Sequence, residues 1–341
     1  WCFDMELYYR SLGDEGREMI EKIGIYKTFS FRVNGLLTLT LIAFGFMGNC
    51  LLLGQIRVSR HFSRRLAVHL GMLCCWDALL LASCLLTYGV PSLIYRITPY
   101  YGPLAFILFI FQPIACTCVS GTIWQVLFIT LERYLAVTRP LEQRTLRAQF
   151  GIRTVCAAIV LFVSLLNILP VPFDRALVPC FEVTRTGEMR NWTLLKPYDD
   201  DNTKQKISMI LRFIPDLLFR APVPIIIIAF LTVKTIQVCS QRASGTLPIN
   251  VCTPRNITTR SSIPLRLSLL SFKFIICNSL YMFNSILIEI LGIGRSDMSE
   301  GGGGEGAVDA YMNSFYLLDA SNMLLVVHSA SNWIIFFHWP R

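Results

Sequence analysis

The sequence predicts an all-α membrane protein, a bundle of seven transmembrane helices. Three observations support this prediction: an apolar composition, seven apolar runs of bilayer-spanning length, and basic residues concentrated in alternate loops. Hydrophobic residues make up 54% of the 341 residues and charged residues only 16%, which is too little charge to cover a soluble surface. The same composition excludes a disordered or fibrous chain.

Seven runs are long enough to cross the membrane as helices, because a bilayer core of ~30 Å needs about 20 apolar residues. Helix is also the open-ended structure that satisfies its own backbone hydrogen bonds in lipid. The runs are residues 33–56, 66–94, 103–131, 154–173, 213–233, 267–291 and 310–337. We therefore expect an extracellular tail over residues 1–32, the membrane domain over 33–338 and a truncated cytoplasmic end over 339–341.

Basic residues mark one side of the predicted bundle. The loops that hold 13 Lys and Arg residues against one acid are 57–65, 139–153 and 234–266. The three loops on the opposite side hold 9 bases against 10 acids. Because positive loops stay in the cytoplasm, this pattern places the N-terminus outside. The glycosylation sequon at Asn191 then lies outside, where it can be used, and the sequon at Asn256 lies inside.

Asp77 is a charged residue in the middle of the second run. A charge there costs about 2.5–3.5 kcal/mol on insertion scales, so it indicates a function by default. Asn49 in the first run and Asn332 in the seventh are its expected polar neighbours. Two interpretations remain open: a structural hydrogen-bond cluster, or a polar centre whose hydration or bound cation differs between two states.

The third run ends in Glu132, Arg133 and Tyr134, followed by Pro140-Leu141. This string resembles the (D/E)RY signature of rhodopsin-like G-protein-coupled receptors. Other landmarks of that family follow in order: Asn49, Asp77, and a degenerate NPxxY motif from Asn332 to Phe336. The triad that matches the family's packing switch is Ile123, Pro224 and Phe274.

Shorter strings resemble one branch of the family, the invertebrate FMRFamide-type neuropeptide receptors. They are Leu166 to Pro170, Cys277-Asn278, Asp319 to Leu324 and Ser329 to Trp333. The resemblance implies a plasma-membrane receptor that has no enzymatic activity, binds an extracellular peptide and acts on a heterotrimeric G protein. Membrane lipid is the other implied partner, and no nucleic acid is expected.

The resemblance also implies roles for individual residues. Asn49, Asp77, Thr122, His328 and Asn332 would form a polar core, which could bind a sodium ion; no other cofactor and no metal site is expected. Arg133 would contact the G protein, held at rest by Glu132 because Arg260 stands where many relatives have an acid. Cys180 would form a disulfide, with Cys84 and Cys2 both open as its partner.

The ligand would bind in the outer half of the bundle. The polar and aromatic residues expected there are Gln112, Asp216, Arg220, Tyr281, Asn284, Glu289, Asp319 and Asn322. Glu289 and Asp319 provide negative charge for a guanidinium, and the amide side chains match a terminal amide. We therefore expect a short amidated, RFamide-like neuropeptide with an Arg near its C-terminus.

Two other functions are compatible with the composition. A chemosensory receptor for a small molecule would share the same seven runs. A channel or carrier would need a continuous polar path, for which Asp77, Lys273, Arg220 and Asp319 are candidates, but no internal repeat supports it. An intramembrane hydrolase is excluded, because paired Asp residues or a Ser–His set at matched depth are lacking.

Overall fold

The computed structural model shows a largely helical protein whose first helix is longer than expected. The residues that the structure describes are 14–58, 63–94, 103–183, 189–197, 207, 210–211, 218–219, 222–243, 262–290 and 305–337. The first helix, α1, is composed of an α-helix over Asp14–Ser30, a π-helical segment over Phe31–Leu37 and an α-helix over Thr38–Val58. Much of the expected tail is therefore helix that continues into the first apolar run.

The remaining helices cover the other six apolar runs. Their bounds are α2 at Arg64–Cys84 with a π-helical segment at Leu85–Gly89 and a last turn at Val90–Ile94, α3 at Leu104–Thr138, α4 at Pro140–Gln149, α5 at Ile152–Ile168, α6 at Val171–Asp174, α7 at Pro222–Ala243, α8 at Ser262–Ile290 and α9 at Glu305–Phe336. Ser63 caps α2, because its Oγ accepts a hydrogen bond from the backbone N–H of Leu66 at 3.4 Å.

Within the described residues, five helical stretches are long and apolar enough to cross a membrane. They are Ile20–Val58, Arg64–Ile94, Leu104–Thr138, Ile152–Phe173 and Pro222–Gln241. Several such stretches in one chain are consistent with a multi-pass membrane protein. α8 and α9 are also long, at 29 and 32 residues, and both contribute residues to the buried core.

A β-hairpin follows α6. The all-α prediction did not include this hairpin. Its strands are β1 at Arg175–Val183 and β2 at Met189–Pro197, paired antiparallel with Cys180 opposite Trp192. The segment was expected to be a polar loop. A hairpin of this kind is stabilised by pairing and packing between strands, which the residue pattern of either strand alone does not reveal.

The helices pack around one apolar core. α1 packs against α2 and α9, α3 packs against α2, α5 and α7, and α8 packs against α9. Two glycines allow α1 to approach α9 closely. A Cβ at Gly45 would lie 2.4 Å from Cα of Ala330, and one at Gly48 would lie 2.0 Å from the indole nitrogen of Trp333. Any larger residue at either position would force the helices apart.

Candidate functional site

The structure brings Asp77 and Asn332 together, as the sequence predicts. The amide nitrogen of Asn332 donates a hydrogen bond to Oδ2 of Asp77 at 2.7 Å, which joins α2 to α9. Both side chains are buried, Asp77 completely. Oδ1 of Asp77 has no hydrogen-bond partner among the described residues. One carboxylate oxygen is therefore satisfied by α9, and the hydroxyl of Ser329, also on α9, lies near the carboxylate.

The other members of the polar core are also buried, on α1, α3 and α9. Asn49 donates to the backbone carbonyls of Gly45 and Ser329, each at 3.0 Å, and so joins α1 to α9. Nε2 of His328 lies 3.5 Å from the amide nitrogen of Asn332. Thr122 is buried, and its hydroxyl has no partner among the described residues.

Lys273 on α8 lies next to the polar core, a placement that the sequence did not predict. Its ammonium donates to the backbone carbonyl of His328 at 2.9 Å and to the hydroxyl of Ser331 at 3.0 Å. It also interacts electrostatically with Asp77. A signal was present in the sequence, because Lys273 is a charge inside an apolar run. From its position in the sequence, Lys273 was expected only as part of a possible channel path.

The residues of the expected packing switch are all buried. Ile123 and Phe274 belong to the main apolar core, and Pro224 is buried in the first turn of α7. The ring of Phe274 contacts that of His328 edge to face, with centroids 5.4 Å apart. Phe336 is buried near the end of α9. The switch position on α8 therefore touches the polar core directly.

Glu132 is paired with a different arginine from the one expected. Its Oε1 lies 2.9 Å from Nη2 of Arg65 on α2 and 3.7 Å from Nε2 of His69. Arg147 on α4 is 4.0 Å away. No ion pair joins Glu132 to Arg133, although the structure describes both residues. The helix turns the two adjacent side chains to different neighbours, although their charges still attract each other. That Glu132 holds Arg133 at rest stays a prediction.

Arg133 lies at the end of the bundle where α1 ends at Val58, α2 begins at Arg64 and α3 ends at Thr138; we call this the basic end. There it lines a narrow cleft of about 50 Å³ between α3, α7 and α8. The hydroxyls of Thr130 and Ser271 lie 3.1 Å apart across this cleft. A neutral hydroxyl pair thus joins α3 to α8 beside the arginine.

A larger apolar cavity of about 740 Å³ lies at the basic end on the other side of α3. Phe128, Leu131 and Ile159 line its wall, and Arg65 and Glu132 line its polar rim. It lies between α3, α4 and α5. Its apolar wall is consistent with hydrocarbon contact in a membrane.

Asp319 is buried instead of lying on an open rim. It is only 4% exposed, and Tyr26, Ser30 and Asn34 of α1 are its polar neighbours, although its Oδ2 has no hydrogen-bond partner among the described residues. Asn34 belongs to the π-helical segment, which turns its side chain inward. Asp319 therefore holds the extended part of α1 against α9. No pattern in the sequence indicated this contact, because residues 1–32 were expected to form a separate tail.

The remaining candidate ligand-binding residues are only partly described. Asn284 and Asn322 are buried, and Oδ1 of Asn284 and Nδ2 of Asn322 have no partner among the described residues. Tyr281 is half-buried against the core, and Gln112 is half-buried on α3. The side chain of Glu289, and all of Asp216 and Arg220, lie outside the described residues.

The cysteine predictions are partly corrected. Cys84 is a buried free thiol, so it is not the partner of Cys180. Cys2 lies outside the described residues, as does the side chain of Cys180, whose backbone belongs to β1. Asn191, the expected glycosylation site, lies in β2 opposite Phe181. Among the described residues, no group of three His, Cys, Asp or Glu side chains is arranged to hold a metal ion.

Comparison with known proteins adds no assignment. No protein-family model matches the chain, and no curated protein matches it.

Proposed function

We propose that the chain is a rhodopsin-like G-protein-coupled receptor of the plasma membrane, with seven helices crossing the bilayer and the N-terminus outside. The observation that carries this proposal is the position of Arg133. The arginine of the Glu-Arg-Tyr string lines a narrow cleft between α3, α7 and α8 at the basic end. Movement of one of these helices would widen the cleft and expose the cationic side chain. A partner that binds only the widened conformation could then recognise it.

The proposed topology treats α8 and α9 as the sixth and seventh crossings. Each is longer than the roughly 20 residues that a bilayer core requires. The basic end then faces the cytoplasm, because its loops carry the excess of Lys and Arg. A G protein would approach the cleft from that side.

Activation in this proposal is a shift between two arrangements of α8. In the closed arrangement, Thr130 and Ser271 join α3 to α8, and Lys273 joins α8 to α9. Phe274 contacts His328 in the polar core. A ligand that displaces the outer part of α8 would break these contacts together. The cleft beside Arg133 would then open.

We propose an amidated peptide as the ligand. A terminal amide has two N–H donors and one carbonyl acceptor, and it matches the unpartnered atoms of Asn284 and Asn322. A buried polar atom without a partner costs free energy, so a ligand that pairs with it gains affinity. Glu289 remains our candidate acid for the Arg of the peptide. Asp319 is less suited to that role because it is buried against α1.

The central experiment measures G-protein activation in cells that express the chain, by energy transfer between labelled Gα and Gβγ. Amidated peptides that end in Arg-Phe should activate wild type, and Arg133→Ala should abolish the response. The matched control is Arg139→Ala, which removes an arginine exposed at the same end. A response that survives Arg133→Ala would contradict the proposal, as would activation by small non-peptide compounds alone.

A second experiment separates the amide contact from general folding effects. Asn322→Ala and Asn284→Ala should each lower the affinity for an amidated peptide by tenfold or more, which corresponds to a loss of at least ~1.4 kcal/mol in binding free energy. The affinity for the free-acid analogue of that peptide should stay nearly unchanged. Equal losses for both peptides would show that the amides act on folding. No loss for either peptide would remove both residues from the ligand site.

A further inference from the structure

Asp77 needs a positive charge that its hydrogen bond does not provide. The side chain is completely buried, and its hydrogen-bonding neighbours among the described residues, the amide of Asn332 and the hydroxyl of Ser329, are both neutral. Moving a carboxylate out of water is costly unless a cation compensates its charge. Its second oxygen has no protein partner among the described residues. If Asp77 is ionised, the polar core therefore requires a counter-ion, either fixed or mobile.

Lys273 is placed to be that counter-ion. Its ammonium is held by two acceptors, the carbonyl of His328 and the hydroxyl of Ser331. Both acceptors lie within one turn of Asn332, which holds the carboxylate. The lysine reaches α9 from α8, and no ion pair at contact distance joins it to Asp77. The two charges interact through the polar core between them.

The lysine is also specifically anchored. A lysine that only extended towards water would need no acceptors inside the bundle. Lys273 instead uses two of its three N–H groups on α9, and Phe274, the next residue on α8, contacts the ring of His328. The ammonium is thus fixed on α9, beside the polar core.

We propose that Lys273 is the built-in counter-ion of Asp77, so that the polar core is neutral without a bound ion and does not take up sodium. A mobile cation would have to sit beside a fixed ammonium in a site of low dielectric constant, where like charges repel strongly. The sodium site that the sequence suggests is thereby replaced by a side chain. This role belongs to the bundle itself and does not depend on coupling to a G protein.

The test compares melting temperatures of the purified full chain in lipid nanodiscs, in sodium chloride and in choline chloride at equal ionic strength. Wild type should melt at the same temperature in both salts. Lys273→Met should show a sodium-specific rise of about 2–4 °C, because the vacated site then binds the ion. Lys273→Met/Asp77→Asn should lose that rise. A sodium-specific rise in wild type, or none in folded Lys273→Met, would overturn the proposal.

Two further variants keep the test decisive. Lys234→Met is the matched control, because Lys234 lies over the ring of Phe230 on α7 and is exposed; it should remain insensitive to sodium. If Lys273→Met does not fold, the double variant with Asp77→Asn becomes the readout. It should fold and melt higher than the single variant, since it no longer buries an unpaired carboxylate. A double variant no more stable than the single one would refute the counter-ion role.

Discussion

Oε1 of Glu132 lies 2.9 Å from Nη2 of Arg65, so the acid of the Glu-Arg-Tyr string is paired across helices with α2. Arg133, one residue further along α3, lines the cleft towards α7 and α8. The two adjacent side chains therefore face different neighbours. The acid joins α3 to α2, and the arginine lines the cleft.

The Glu132–Arg65 pair should contribute measurably to stability. Both side chains are only 22% exposed, so the charge-assisted hydrogen bonds are largely shielded from water. Arg65→Gln and Glu132→Gln should each lower the free energy of unfolding by ~1.5–3 kcal/mol. The double variant should lower the free energy of unfolding by much less than the sum of the two single effects. A denaturant titration in mixed micelles can measure these free energies.

The control for this pair is Arg139→Gln. Arg139 and Glu142 form a comparable contact at 3.1 Å, but their side chains are 63% and 57% exposed. Its loss should change the free energy of unfolding by less than ~1 kcal/mol. Additive effects of Arg65→Gln and Glu132→Gln would contradict a direct pair between them.

Thr130→Val should raise basal G-protein activation. The hydroxyl of Thr130 joins α3 to Ser271 on α8, and its loss weakens the closed arrangement. The net contribution of such a hydrogen bond to stability is ~0.5–1.5 kcal/mol, and its loss corresponds to a roughly two- to tenfold increase in the population of the open arrangement. Thr117→Val is the control, because the hydroxyl of Thr117 bonds only within its own helix, to the carbonyl of Pro113. Unchanged basal activity in Thr130→Val would exclude the hydroxyl pair as a latch.

Gly48→Ala should destabilise the bundle, because the added Cβ would lie 2.0 Å from the indole nitrogen of Trp333. Overpacking of this kind typically costs ~1–3 kcal/mol. Gly54→Ala on the same helix meets no atom within 4 Å and should be neutral or stabilising. Melting temperatures of the two variants should therefore move in opposite directions. A similar change in both would show that α1 does not depend on close contact with α9.

Asn191 should carry a glycan, and Asn256 should not. The first lies in the β2 strand of a loop that the charge pattern places outside, and the second lies in a basic loop. Treatment with an amidase that removes N-glycans should increase the gel mobility of wild type and of Asn256→Gln. Asn191→Gln should be insensitive. The reverse result would invert the proposed topology.

Several features were accessible from the sequence because they depend on local composition. Helix in lipid is dictated by backbone hydrogen bonding, so long apolar runs were sufficient to predict the helices. The contact between Asp77 and Asn332 was also anticipated, since a buried charge needs polar neighbours and few were present. The orientation of the loops rests on charge counting alone and stays a prediction.

Other features were decided only by packing. The contact between Arg65 and Glu132 depends on how α2 and α3 lie side by side, which sequence adjacency does not reveal. Asp319 was expected at a rim, but α1 extends far enough to cover it. Lys273 was visible as a charge in an apolar run, yet its acceptors on α9 are more than 50 residues away. Pairings between distant residues arise from helix–helix geometry, which no local pattern encodes.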